Sequence, residues 1–95
     1  MIKYRKEEAE EIALEDAKSD GYISATLWKE FDDKTRLVYV YSTKYNKDMK
    51  TWKVQLDTDE QSHDIYLPAL TYFISVDNGE VIAISNALEN TEKIK

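Results

Sequence analysis

Leu70-Thr71-Tyr72-Phe73-Ile74-Ser75-Val76, Asp77-Asn78-Gly79, Glu80-Val81-Ile82-Ala83-Ile84: two apolar runs meet at an Asn-Gly pair. This is the strongest short-range signal for a β-hairpin. A two-residue turn of this kind needs positive φ at both central positions, which Asn and Gly tolerate. The runs predict strands at about 70–76 and 80–85. Working toward the N-terminus, Thr51 to Asp57 alternates most regularly, with Trp52, Val54 and Leu56 on one side and Lys53 and Gln55 on the other. This predicts a strand over 51–57. Residues 36–43 are rich in Val and Tyr and read as another. Residues 22–31 alternate as well, with Ile23, Ala25 and Leu27 on one face and Ser24, Thr26 and Trp28 on the other. Asp32-Asp33-Lys34 reads as a turn, Lys44 to Lys50 as a polar loop, and Asp57 to Asp64 as a polar connection. Pro68 weakens any central strand over 65–69, and 87–95 reads as a flexible tail or a short terminal helix.

Residues 6–19 have a different period. Ala9, Ile12, Ala13 and Ala17 recur at helical spacing, while Glu8, Glu11, Glu15 and Lys18 fall on the opposite side. Three of the four apolar residues are Ala, so this helix can approach a sheet closely. Glu7 and Glu8 suit the positive end of the helix dipole. Asp20-Gly21 is a stop signal, with Gly available for a left-handed C-terminal cap. No Ser, Thr, Asp or Asn stands at the N-cap. One helix followed by about five strands gives an α+β domain. The expected architecture is an N-terminal helix packed on a four- to five-stranded antiparallel meander, because parallel strands would need a helix between each pair.

The chain has 95 residues, enough for one domain over 1–95, with no internal repeat or linker. It has no cysteine, which excludes disulfides, zinc–thiolate sites and thiol nucleophiles. Acidic residues number 19 and basic residues 13, for a net charge of −6. That balance argues against general nucleic-acid binding. The charge is segregated: acids crowd the helix, and lysines crowd residues 34–53. The first twenty residues lack the apolar core of a signal peptide, and no run approaches the length of a membrane span. The expectation is a cytoplasmic protein with no membrane association.

Lys6-Glu7-Glu8-Ala9-Glu10-Glu11-Ile12-Ala13-Leu14-Glu15-Asp16-Ala17 resembles the opening helix of PepSY-type domains. Trp52-Lys53-Val54 and Val76-Asp77-Asn78-Gly79-Glu80-Val81-Ile82 resemble their later strands. The resemblance covers about a third of the positions, and here the final turn is shorter than the family's. It implies a cystatin-like curved sheet around a helix. Such domains are usually binding or inhibitory modules rather than enzymes.

Candidate chemistry is sparse. His63, the one histidine, lies in Asp57-Thr58-Asp59-Glu60-Gln61-Ser62-His63-Asp64. That segment lacks the central Gly and closing Glu of a calcium loop, and one His is a poor transition-metal site. Gly21 and Gly79 are the only glycines, so there is no phosphate-cradling loop. Lys44, Lys47, Lys50 and Lys53 accompany Tyr45 and Trp52, but Trp52 belongs to an apolar strand face, leaving an exposed lysine-rich loop. The expectation is no catalytic site, no metal and no cofactor.

The aromatic residues say more. One helix covers one sheet face, expected to hold Ile23, Leu27, Trp52, Val54, Leu56, Leu70, Tyr72, Ile74 and Val76. The reverse face then receives Trp28 and Phe73, with either Tyr39 and Tyr41 or Val38 and Val40 according to register. Aromatic residues on an uncovered sheet suggest a protein partner or a homodimer. The expectation is a non-enzymatic binding module, of inhibitor or immunity type. Its contact residues would be Trp28, Tyr39, Tyr41 and Phe73, with Glu8, Glu11 and Glu15 on the acidic helix. The alternative is a small-ligand-binding or enzymatic pocket inside the curved sheet, built around Tyr72 and the His63 region.

Overall fold

The computed structural model describes residues 3–27, 35–58, 70–86 and 91–94. Helix α1 spans Lys6–Ser19, as the alanine stripe predicts, and buries Ala9, Ala13 and Ala17. Its start uses a device other than a Ser or Asp cap: the Arg5 backbone N–H donates to the Glu8 carboxylate at 2.9 Å. Its end is a Schellman turn. Gly21, at φ +104°, donates to the Lys18 carbonyl, and Tyr22 donates to the Ala17 carbonyl at 2.9 Å.

Among the described residues six strands follow: β1 (Thr26–Leu27), β2 (Arg36–Ser42), β3 (Lys47–Asp57), β4 (Leu70–Ser75), β5 (Val81–Asn86) and β6 (Thr91–Ile94). Every pairing is antiparallel, and β2 to β6 form a meander. β1 and β2 both pair with the side of β3 opposite β4. They lie end to end along one edge and run in the same direction, so six strands fill five sheet positions. The chain is therefore α+β, one helix on a five-position antiparallel sheet.

Four expectations need correction. The strand expected from residue 22 does not begin there: Tyr22 to Ala25 is a turn closed by the Ala25 N–H on the Tyr22 carbonyl, β1 is Thr26–Leu27, and residues 28–31 of the expected strand lie outside the described residues. The apparent alternation there is a coincidence of a turn following a left-handed cap, and Ile23 is consequently 81% exposed rather than in the core. The segment 44–50 is not all loop, because β3 begins at Lys47, drawn into register by the Val- and Tyr-rich β2. Residues 91–94 are not tail but strand, paired with β5. Nor is the Asn-Gly hairpin a two-residue turn. Of its residues only Gly79 has positive φ, at +71°, and residues 76–80 form a wider loop closed by the Ser75 N–H on the Glu80 carbonyl at 2.8 Å. Among the described residues the left-handed non-glycine is Asn46, at φ +56°, in the β2–β3 turn.

The helix lies mainly over β3, with lesser contact to β1 and β4. Beneath it sit Val54, Leu56, Leu70, Tyr72, Ile74 and Ile84, flanked by Leu27, Trp52 and Val81. That composition matches the expected helix-side face apart from Ile23, which is exposed, and Val76, which is buried outside this cluster. The N-terminal segment is tied down at two points. The Lys3 and Tyr4 N–H groups donate to the Val76 carbonyl, and the Trp52 indole donates to the Tyr4 carbonyl at 2.8 Å. The Tyr4 ring then lies across Gly79, where an added Cβ would stand 2.7 Å from Cε2. Gly79→Ala therefore combines left-handed strain with a displaced ring. We expect a loss of about 1–2 kcal/mol, measured by chemical denaturation, and Tyr4→Ala in the same chain should recover only the steric share.

Candidate functional site

Register decides which side chains share a face, since cross-strand partners point the same way. Tyr39 pairs with Lys50, Tyr41 with Asp48, and Leu37 with Trp52. Trp52 is on the helix side, so Leu37, Tyr39 and Tyr41 are too. Phe73 pairs with Lys53 and lies on the reverse face with Val38, Val40 and Thr51. The tyrosines and Phe73 therefore do not form one patch, and the open alternative resolves in favour of Val38 and Val40 on the reverse face. Phe73 is only half-buried there, among Lys53 and Ala83. Trp28 and His63 lie outside the described residues.

What the structure does bring together is a stripe on β2. Tyr39 is 70% exposed, Tyr41 52% and Leu37 37%. They remain uncovered because the helix sits over β3 and β4, and because β2 has a partner on one side only among the described residues. The helix flank nearest this stripe is marked by Glu10, whose carboxylate accepts the Thr35 hydroxyl at 2.6 Å just before β2 begins. At the far end, the Tyr41 hydroxyl donates to Asn46 Oδ1 in the β2–β3 turn. The stripe is thus one leucine and two tyrosine side chains in a row, with polar fastenings at both ends.

Beyond the stripe, the hairpin tip is latched to the β4–β5 loop. Glu80 accepts from Lys44 Nζ and from the Tyr45 hydroxyl, each at 2.6 Å. Those two bonds hold the Glu80 carboxyl below its usual range, and the Glu80 carboxylate in turn raises the Lys44 ammonium. The lysine series does not form a single basic surface. Lys50 is on the helix side, Lys47 and Lys53 are on the reverse side, and Lys44 is engaged at the tip.

The three helix glutamates named from sequence, Glu8, Glu11 and Glu15, are all solvent-exposed on the outward side of α1. Glu8 has a structural duty besides, as the acceptor at the helix start. Tyr72, the polar candidate for an internal pocket, is 1% exposed. Burial, with the Asp16 carboxylate accepting from its hydroxyl and Asp20 nearby, pushes its phenol far above the ordinary value. It fastens the C-terminal half of the helix to the sheet. Among the described residues, no group of three or more His, Cys, Asp or Glu is placed to hold a metal ion. Also among them, no helix is long and apolar enough to cross a membrane.

Sequence reasoning missed Leu37 and the open edge of β2. The signal was present: from Leu37 to Tyr41 both alternating sets are apolar or aromatic, whereas a strand with one solvated face carries polar residues there. No family model, no curated protein and no solved structure matches this chain.

Proposed function

We propose that the chain is a small protein-binding module rather than an enzyme, and that it docks through the helix-side stripe of β2. A single observation carries this reading. Leu37, Tyr39 and Tyr41 stand exposed on one strand whose outer edge is unpaired among the described residues. Tyr side chains suit recognition because they offer large area for little lost rotamer freedom and a hydroxyl to satisfy. An unpaired edge offers main-chain hydrogen bonds as well, the mode called β-augmentation. The acidic face of α1, with Glu11 and Glu15 outward, adds a second surface suited to a basic partner, as an inhibitor or immunity-type protein would use.

The test is a comparison of immobilised baits: wild type, a Tyr39→Lys/Tyr41→Lys variant, and a Glu11→Gln/Glu15→Gln variant. All four side chains changed are exposed, so each bait should keep the wild-type far-UV circular dichroism. Any protein, including soluble copies of the chain itself, that wild type retains should be lost from the tyrosine variant. Loss from the glutamate variant as well would identify a basic partner. Identical retention by wild type and the tyrosine variant would remove the proposal.

A further inference from the structure

We infer that the open edge of β2 is the seat of a second copy of the same chain, paired antiparallel about a two-fold axis at Tyr39. This rests on the protein-binding reading of β2 and names its occupant. Three observations favour a second copy over an unrelated strand.

The first is the strand's own symmetry. β2 reads Arg36-Leu37-Val38-Tyr39-Val40-Tyr41-Ser42. Centred on Tyr39, an antiparallel copy places Leu37 opposite Tyr41, Val38 opposite Val40, and Tyr39 opposite itself. No other centre pairs all seven residues. Aromatic–aromatic, aromatic–aliphatic and β-branched pairs are the favourable cross-strand combinations.

The second is charge. Between Leu37 and Ser42 the strand carries none, and Arg36 at one end meets Ser42 of the copy. Two-fold pairing therefore sets no like charges directly opposite. The nearest pair, Arg36 of one copy and the Lys47 that stands beside Ser42 of the other, would be two strand spacings apart, about 9–10 Å, near the screening length at physiological salt, with both side chains exposed to solvent at the strand ends. Seven of the 19 acids fall in residues 7–20 against Lys18 alone, and β2 holds none. Edge strands that must stay single usually carry an inward charge, a Pro or a bulge. β2 has none of these between Leu37 and Ser42.

The third is area. From the exposures of Tyr39, Tyr41 and Leu37, each copy offers about 300 Å² of side-chain surface, to which Val38, Val40 and the strand backbone add. The sum falls near or below the roughly 800 Å² per partner of a standard interface. The assembly is therefore a weak dimer, with a dissociation constant on the order of 10–100 μM. The axis stands perpendicular to the sheet, so both helices lie on one face of a continuous ten-position sheet, flanking the paired tyrosines.

Sedimentation equilibrium between about 10 μM and about 1 mM (a range spanning the expected constant) reads the dimer directly. Wild type should rise from the 11.1 kDa monomer toward twice that mass and stop there. Tyr39→Lys and Tyr39→Glu, each setting like charges face to face, should both weaken association at least about tenfold. An equimolar mixture of the two variants should restore it, because position 39 meets only its own counterpart. A wild-type chain that stays monomeric throughout overturns the inference. So does mass that grows without limit, a dimer indifferent to both variants, or a mixture that fails to reassociate. If wild type is monomeric yet the tyrosine variant still loses a protein that wild type captures, the edge belongs to that partner and the binding reading survives alone.

Discussion

Tyr72→Ala should lower the stability of the domain by about 3–5 kcal/mol, a large share of the total for a domain of this size. The side chain is 1% exposed and stands between β4 and the last turns of α1, so its removal leaves a void that neither element can collapse to fill. Tyr72→Phe separates the two roles of the residue. It keeps the ring and deletes the hydroxyl that the Asp16 carboxylate accepts from. Losing a hydrogen bond to a charged group costs about 1.5–3 kcal/mol, and denaturant titration of the three proteins should rank them in that order. The same pair gives a pH signature. Burial first, then Asp16, raise the Tyr72 phenol above its ordinary value of 10.0. The folded state thus favours the neutral phenol, and this contribution is complete below about pH 10. It is lost as the pH climbs further, because the unfolded chain ionises first. The stability gap between wild type and Tyr72→Phe should be constant from neutral pH to about pH 9 and narrow above that. A gap that widened in alkali would contradict the arrangement.

Ala13→Leu should cost about 3 kcal/mol, the upper end of what overpacking exacts. Ala9, Ala13 and Ala17 have no exposed surface, and the β3 and β4 side chains directly beneath them are equally buried. Added methylenes at the middle alanine must lift the helix along much of its length. Helix propensity cannot account for the loss, since Leu is nearly as good a helix former as Ala. Glu11→Leu on the outward side serves as the comparison. It relieves like-charge spacing with Glu7 and Glu15 and should change stability by less than about 0.5 kcal/mol. Each kcal/mol displaces the thermal midpoint by about 4–8 °C, so the two variants should separate clearly on a melting curve. Equal midpoints would mean that the alanines do not set the distance between helix and sheet.

The helix was legible to the residue because its signal is local: a period, a glycine stop and acids in the first turn. Strands β2, β4 and β5 were legible for the same reason, each being a short run of β-branched and aromatic residues. What failed was what depends on a partner. The polar start of β3, Lys47-Asp48-Met49-Lys50, is a strand because β2 lies beside it. β6 is a strand because β5 offers an edge. The placing of Tyr39 on the helix side is a matter of register, which one strand's sequence leaves open by a single residue. Ile23 shows the opposite error: its alternation was real in the sequence, but the turn after Gly21 consumed it. The candidate site was half legible on the same terms. The residue types at Tyr39 and Tyr41 were visible. That β1 and β2 share one edge of β3, leaving β2 outermost, was not, because only long-range pairing creates it.

The position of α1 at the head of the chain has a kinetic consequence. Its partners on β3 and β4 lie far along the sequence, whereas the β2–β3 and β4–β5 hairpins close over a few residues. Short closures sacrifice less chain entropy before contacts repay it, so the hairpins gain native form early and the rod seals over them late. A disturbance such as Ala13→Leu should then accelerate escape from the native basin and leave the refolding rate nearly untouched, a division that stopped-flow relaxation reads directly.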